Sequence, residues 1–140
     1  MIKESKVDAI VLPLFKNQNS LTGYAKEVDA FLNNKISNLI KNGNFKGEKN
    51  EILLYPESSL PSKRLILLGL GLKKEINLET IRNASASLAL YIRDKNFKTY
   101  STPIFGDESN PHLSDFVQAQ IEGTNLSLYT FNQFKSEKKS

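Results

Sequence analysis

Three apolar runs of strand length alternate with polar turns and with segments of helical periodicity along the chain. The runs are 7–15 (VDAIVLPLF), 51–55 (EILLY) and 64–70 (RLILLGL). The first is apolar at nearly every position and rich in β-branched residues, which predicts an internal strand covered on both faces. Pro13 lacks a backbone donor, so we expect it where this strand leaves the sheet or meets an unpaired edge.

Helical periodicity appears in three places between and after these runs. After a polar turn, apolar residues recur at steps of one, three and four, which predicts an amphipathic helix broken near Asn33 and Asn34. Those residues are Val28, Phe31, Leu32, Ile36, Leu39 and Ile40. Asn77 is a favourable N-cap for a second helix, and Asn110–Pro111 for a third that continues to Phe131.

A further run, 98–105 (KTYSTPIF), completes the pattern as a fourth strand, whose Pro103 indicates an end or an edge. The element order is therefore strand, helix, strand, strand, helix, strand, helix. That order predicts an α/β fold in which helices pack on the faces of a mixed sheet. A chain of 140 residues is long enough for one such domain.

Composition limits the chemistry that the chain can carry. It has no cysteine and one histidine, which excludes disulfides, thiolate metal sites and cysteine nucleophiles. The net charge of +4 falls to +2 without the three lysines and one glutamate of the tail 135–140. Only three basic residues are arginine, the side chain favoured for bidentate recognition, so nucleic acid is not an expected partner. No apolar run approaches the roughly 18 residues that span a bilayer and no secretion signal is present, so we expect a cytoplasmic protein without a membrane partner.

Two groups of residues resemble ligand sites only superficially. Gly69-Leu70-Gly71 follows a strand, as a dinucleotide-binding loop does, but Lys74 stands in place of the third glycine and the helix begins only near Asn77. A tight turn at a strand end is the alternative interpretation. The second group, which could in principle hold a divalent ion, comprises Asp107, Glu108, His112 and Asp115. Its spacing matches no compact site, and acidic residues at a helix start are expected from the helix dipole alone. We therefore predict no catalytic, cofactor-binding or metal-binding residue in this chain.

Four segments, in order, resemble the N-terminal domain of the leucyl (cytosol) aminopeptidase family. They are the opening strand 7–11 (VDAIV), the connection 44–48 (NFKGE), the strand 64–71 ending in Gly-Leu-Gly, and the final helix. The helix is similar to the family pattern Glu-Gly-x-x-Leu-x-x-Tyr-x-Phe-x-x-Tyr-Lys, with phenylalanine in place of the second tyrosine. The matching residues are Glu122, Gly123, Leu126, Tyr129, Phe131, Phe134 and Lys135.

The resemblance implies a macro-domain-like mixed sheet flanked by helices, a three-layer α/β/α arrangement. Residues 1–134 would form the aminopeptidase N-terminal domain, and 135–140 would begin the interdomain linker. The catalytic residues and two divalent metal ions (zinc, manganese or magnesium) would belong to a C-terminal catalytic domain that is absent here. The isolated chain is then expected to be inactive, and the full-length parent to be a metal-dependent leucyl aminopeptidase.

The same resemblance implies two partners: the C-terminal catalytic domain of the same polypeptide, and further copies in a homo-oligomer, a hexamer. The domain would contribute by packing, by subunit contacts or by shaping access to the active site. Gly123 has two interpretations, close approach of another backbone or a tolerated surface glycine. Tyr129, Phe131 and Phe134 either cap the domain's own core or form an apolar patch for the missing partner.

Two other functional classes compete with this interpretation. Macro domains that bind ADP-ribose open with Asp-Ala-Ile-Val-Asn-Ala-Ala-Asn, which begins like Asp8-Ala9-Ile10-Val11, but apolar residues, Leu12 and Phe15, replace both asparagines. The polar groups that would hold the ribose are therefore absent, although the strand is shared. Some bacterial members of the aminopeptidase family also bind DNA. The small net charge of residues 1–134 argues against that role here.

Overall fold

The computed structural model describes residues 7–17, 21, 23–103, 105 and 114–124 of the chain. Within them lie strands β1 (Ala9–Lys16), β2 (Ile52–Pro56), β3 (Arg64–Leu72) and β4 (Tyr100–Ser101). The sheet order is β2-β3-β1-β4, with β1 parallel to β3 and β4, and β2 antiparallel to β3. The mixed sheet predicted from the element order is confirmed.

Helices cover both faces of this sheet. The helices of the described ranges are α1 (Gly23–Phe31), α2 (Lys35–Lys41), α3 (Leu78–Asp94) and α4 (residues 114–124). One buried cluster joins α1 and α2 to one face through Ile10, Leu12, Val28, Leu32, Ile36 and Leu67. A second joins α3 and α4 to the other face through Val11, Ile66, Leu68, Ile81, Leu88 and Phe116. The three-layer α/β/α arrangement is therefore as expected.

Strand β1 lies inside the sheet with both faces covered, as its apolar sequence predicts. Its residues 9–12 are fully buried, because successive side chains point alternately into the two clusters. Pro13 lies within the strand, opposite Leu68 of β3, and not at its end. In the described residues, β4 pairs only with Ala9 and Ile10 of β1. Pro13 thus falls beyond the pairing with β4 that the described residues show, and the unpaired-edge alternative stays a prediction.

The predicted break between the first two helices is present, and its geometry explains the sequence. Asn33 and Asn34 have φ angles of 56° and 66°, the left-handed conformation that asparagine tolerates. The Asp29 carboxylate of α1 accepts hydrogen bonds from the backbone amides of Ile36 (2.9 Å) and Ser37 (3.1 Å), and from the Ser37 hydroxyl. It satisfies donors that the first turn of α2 would otherwise leave unpaired.

The remaining elements differ from expectation mainly in length. The Asn77 side chain accepts a hydrogen bond from the Thr80 amide at 2.8 Å, which confirms the predicted N-cap of α3. Strand β3 extends two residues further than predicted. Of the predicted strand 98–105, residues 98–103 and 105 are described, and the strand among them is only Tyr100–Ser101. Of the predicted final helix, the described part is 114–124. Its start at Asn110–Pro111 and its end near Phe131 lie outside the described residues.

An ion pair between the buried Glu57 and the partly exposed Lys35 links the turn after β2 to the start of α2. Glu57 is only 4% exposed, and its carboxylate accepts hydrogen bonds from the Lys35 ammonium (2.8 and 3.2 Å) and the Ser59 hydroxyl (2.6 Å). These donors, Lys35 first, lower the pKa of Glu57 below its ordinary value because they stabilise the charged carboxylate. The fold therefore favours the ionised form of this buried acid.

This ion pair predicts a specific acid sensitivity. Since the pKa of Glu57 is lower in the folded than in the unfolded chain, the carboxylate adds stability above its ordinary pKa of 4.5, and that stability is lost as the pH falls through the folded value. Glu57→Gln should remove this component, so the variant's free energy of unfolding should fall less between pH 6 and pH 3 than that of the unsubstituted chain. Urea titrations at both pH values measure this change in the free energy of unfolding. The exposed Glu27→Gln is the control, and an equal change in both variants would contradict the prediction.

Candidate functional site

The topology places one candidate ligand site at the carboxyl ends of β1 and β3. These strands are parallel neighbours, but the chain leaves β1 towards α1 and α2 on one face and leaves β3 towards α3 on the other. Neighbouring strands with diverging connections leave a crevice at their carboxyl ends, where open α/β sheets bind ligands. We call this position the switch-point crevice.

Residues 45–51, the covering segment, span the ends of both strands at this point. The Gly71 amide donates to the Gly47 carbonyl at 2.8 Å, and the Gly69 amide donates to the Glu51 carbonyl, also at 2.8 Å. The Asn50 amide donates to the Gly69 carbonyl at 3.0 Å. On the other side, a Cβ on Gly47 would lie 2.9 Å from the backbone nitrogen of Lys16. The chain's own backbone therefore lies across the crevice.

This contact accounts for the Gly-Leu-Gly sequence without a ligand. A Cβ on Gly69 would lie 2.0 Å from the Glu48 carbonyl oxygen, a separation that no side chain tolerates. Gly71 has a φ of 80°, which favours glycine, and it lies where the pairing between β1 and β3 shifts register. A short 3₁₀ turn, Lys73–Glu75, separates it from α3. The amides that a phosphate would need are already donated to backbone carbonyls, which favours the tight-turn interpretation.

Three charged side chains at the crevice, Lys16, Glu48 and Glu51, are paired with one another or order the covering segment. Lys16 forms an ion pair with Glu48 at 2.7 Å. The Glu51 carboxylate accepts hydrogen bonds from the amides of Lys46 (3.2 Å) and Glu48 (3.0 Å), which fixes the loop's shape. A cavity of about 220 Å³ remains, lined by Phe15, Lys16, Asn17, Ile40, Phe45, Lys46 and Gly47. Its lining contains neither a carboxylate nor an imidazole, so it supplies no acid–base pair for catalysis.

At the opposite end of β1, Asp8 has an internal role that the sequence did not reveal. Its carboxylate accepts hydrogen bonds from the amides of Lys98 (2.6 Å) and Thr99 (3.3 Å), and the Lys98 bond is the main reason that its pKa is lowered. The Arg64 guanidinium donates to the Asp8 carbonyl at 3.1 Å and stacks on the Phe97 ring at 4.6 Å. Asp8 thus connects the start of β1 to the segment before β4 by hydrogen bonds.

The acidic and imidazole residues that the sequence analysis considered and rejected as a metal site lie mostly outside the described residues. Asp107, Glu108 and His112 are not among them, and Asp115 is exposed in the first turn of α4. Across the part of the chain that the structure describes, no three His, Cys, Asp or Glu side chains come together as metal ligands. The described residues therefore do not fit a dinuclear centre, which the family resemblance assigns to the catalytic domain. The aromatic residues of the pattern, Tyr129, Phe131 and Phe134, and the tail 135–140 also lie outside the described ranges.

Gly123 lies at a close approach of two helices, which confirms the first of its two interpretations. A Cβ at this position would lie 2.3 Å from the backbone carbonyl oxygen of Arg82 in α3. The neighbouring Glu122 carboxylate lies 3.4 Å from the Arg82 guanidinium nitrogen Nε. Both residues of the Glu-Gly pair therefore serve to dock α4 on α3 within this domain.

Comparison with known proteins identifies the family. The profile of the cytosol aminopeptidase family, N-terminal domain, matches residues 11–138. The chain belongs to this family. It is 29% identical over 136 residues to a probable cytosol aminopeptidase of Alkaliphilus oremlandii, covering 96% of this chain and 27% of that protein. It is 33% identical over 144 residues to that of Clostridium perfringens, covering 99% and 28%. The chain thus spans about a quarter of the length of these curated relatives.

Solved structures agree in fold. The macrodomain of Mycobacterium tuberculosis DarG matches with a TM-score of 0.69 at 14% identity, covering 90% of this chain and 86% of that domain. A mutant tomato leucine aminopeptidase matches with a TM-score of 0.60 at 13% identity, covering 86% and 26%. The bottromycin maturation enzyme BotP in complex with Mn matches with a TM-score of 0.62 at 16% identity, covering 88% and 23%. At these identities the likeness establishes the macro-like fold alone.

The close contact over Gly69 predicts a sharp effect of one added methyl group. Gly69→Ala should destabilise the domain by about 3 kcal/mol, the upper range of overpacking, because the neighbouring atom is a backbone carbonyl that cannot rotate away. The control is Gly43→Ala, whose added Cβ meets nothing within 4 Å and whose φ of 80° costs only about 1 kcal/mol of backbone strain. Urea unfolding of both variants measures the difference. An equal loss in free energy of unfolding in the two variants would contradict the close contact between the covering segment and β3.

Proposed function

We propose that this chain is the non-catalytic N-terminal domain of a metal-dependent leucyl aminopeptidase, an enzyme that releases N-terminal amino acids from peptides. Residues 1–134 form the domain in this proposal, and 135–140 begin its link to the catalytic domain. The observation that carries it is the family match over residues 11–138 in a chain that spans only about a quarter of its relatives. The activity then belongs to the remaining three quarters of the polypeptide.

The chemistry of the described residues supports this division. Hydrolysis of a peptide bond by a metal-dependent enzyme needs a metal-bound water and ligands that hold the metal. We assign two divalent ions, zinc, manganese or magnesium, to the catalytic domain. The described residues bring no set of three metal-ligating side chains together, and the switch-point crevice holds the chain's own covering segment.

The domain's contribution is then structural. It packs against the catalytic domain, contributes subunit contacts in a homo-oligomer, a hexamer, or shapes access to the active site. We place the protein in the cytoplasm, in keeping with the family's name. In the described part of the chain, no helix is long and apolar enough to cross a membrane.

An ADP-ribose-binding module is the second candidate, because macrodomains of DarG share the fold. Two features of the described residues weigh against it. Leu12, where such modules carry asparagine, is fully buried, and the covering segment lies over the crevice. We therefore rank it below the aminopeptidase domain.

Assays on the purified 140-residue chain test both candidates. With Mn²⁺ or Zn²⁺ added, it should not hydrolyse leucyl p-nitroanilide above the rate of the metal alone, because in this proposal the ligands that activate water belong to the catalytic domain. The full-length Alkaliphilus oremlandii relative, assayed in parallel, is the positive control. Turnover by the short chain at the roughly 1–1,000 s⁻¹ typical of enzymes would contradict the proposal. Saturable heat on calorimetric titration with ADP-ribose would favour the second candidate.

A further inference from the structure

At one point, helices α4 and α3 lie too close together for a side chain between them. We call this point the exit joint and define it as Arg82, Glu122 and Gly123. The Arg82 carbonyl oxygen occupies the position where a side chain at 123 would begin, 2.3 Å from an added Cβ. The Glu122 carboxylate lies 3.4 Å from Nε of the same arginine. Arg82 also lies 3.7 Å from Glu79, so its guanidinium is held between two carboxylates.

Other contacts prevent α4 from sliding or rotating about this point. Phe116 and Ala119, both buried, belong to the cluster between the sheet and α3. The Gln120 side chain accepts a hydrogen bond from the Phe105 amide at 2.9 Å and donates one to the Pro103 carbonyl at 3.3 Å. Apolar packing, paired amides and a backbone contact thus fix one face of α4 along the described helix. A close-packed contact of this kind admits a few discrete arrangements and not a continuous range.

We propose that the exit joint is a positioning device, which sets the place and direction of the last described turn of α4, from which the polypeptide continues towards the catalytic domain. This inference rests on the proposed function, which assigns the catalytic domain to the polypeptide beyond α4. Arg82, Glu122 and Gly123 are then positioning residues: they touch no substrate, and they act by fixing the end of α4. Glycine is needed at 123 because any side chain pushes that end away from α3.

The absence of cysteine makes the proposal testable by spin labelling. Two exposed apolar residues in opposite layers, Phe31 of α1 (42% exposed) and Ile121 of α4 (56%), are replaced by cysteine and labelled. Double electron–electron resonance then measures the distance between them. Ordinary contact begins at 3.4 Å, so Gly123→Ala should lengthen the mean distance by about 1 Å and Gly123→Val should lengthen it further, because α4 must retreat from a rigid carbonyl.

The same pair of substitutions at the exposed Gln118 is the matched control and should leave the distance unchanged. Glu122→Gln keeps the side-chain volume and removes the ion pair, so it should broaden the distance distribution even if a Gly123 variant fails to fold. A constant distance across the Gly123 series, or an equal shift in the Gln118 series, would overturn the exit joint. A spin-label distance distribution in Glu122→Gln as narrow as that of the unsubstituted chain would also overturn it.

Activity of the full-length polypeptide separates this inference from the proposed function. The Gly123 series should lower kcat for a leucyl substrate stepwise while bound metal stays constant, since the metal ligands lie outside this domain. An unchanged kcat would overturn the positioning role. An unsubstituted full-length polypeptide without any turnover would count against the proposed function, whereas the distance series on the 140-residue chain would still decide whether the exit joint fixes α4.

Discussion

The architecture depends on one constraint, the close approach of the covering segment's backbone to the ends of β1 and β3. Gly47, Gly69 and Gly71 lie where a Cβ would meet neighbouring atoms at 2.9 Å or less, and their backbone groups carry the hydrogen bonds of the contact. Because a ligand in an open α/β sheet needs the same position, the same packing contact determines the shape of the sheet's edge and limits the space left there to a cavity of about 220 Å³. The covering segment, a part of the same chain, thus lies where a ligand would otherwise bind.

Much of the layer arrangement could be predicted from the sequence because its signals are local. Three of these signals each depend on residues within a few positions of one another. They are the run of β1 that is apolar on both faces, the break at Asn33–Asn34 and the Asn77 cap. The ends of three strands, β1, β2 and β3, lie within two residues of the predicted ones for the same reason. The position of Pro13 was harder to predict, because it depends on how far a neighbouring strand, 91 residues later, runs alongside β1.

The candidate site was much harder to predict, since its decisive contacts join distant parts of the chain. Asp8 and Lys98 are 90 positions apart, and an aspartate before an apolar strand gives no sign of which amides it will meet. The Gly-Leu-Gly sequence and the 44–48 connection were recognised as separate pieces, but only the fold brings them into contact. The two interpretations of Gly123 could not be separated either, because the atom that decides between them belongs to Arg82, 41 residues earlier.

The capping of α2 by Asp29 has a consequence for how the domain loosens. The Asp29 carboxylate, which accepts the hydrogen bonds of the first turn of α2, lies on α1. Unfolding of α1 therefore removes these hydrogen bonds from α2. The two helices should therefore open and close together as one cooperative unit, with matched protection of their amides against exchange with solvent. The layer they form is stable as a pair, although neither helix is long enough to persist alone in water.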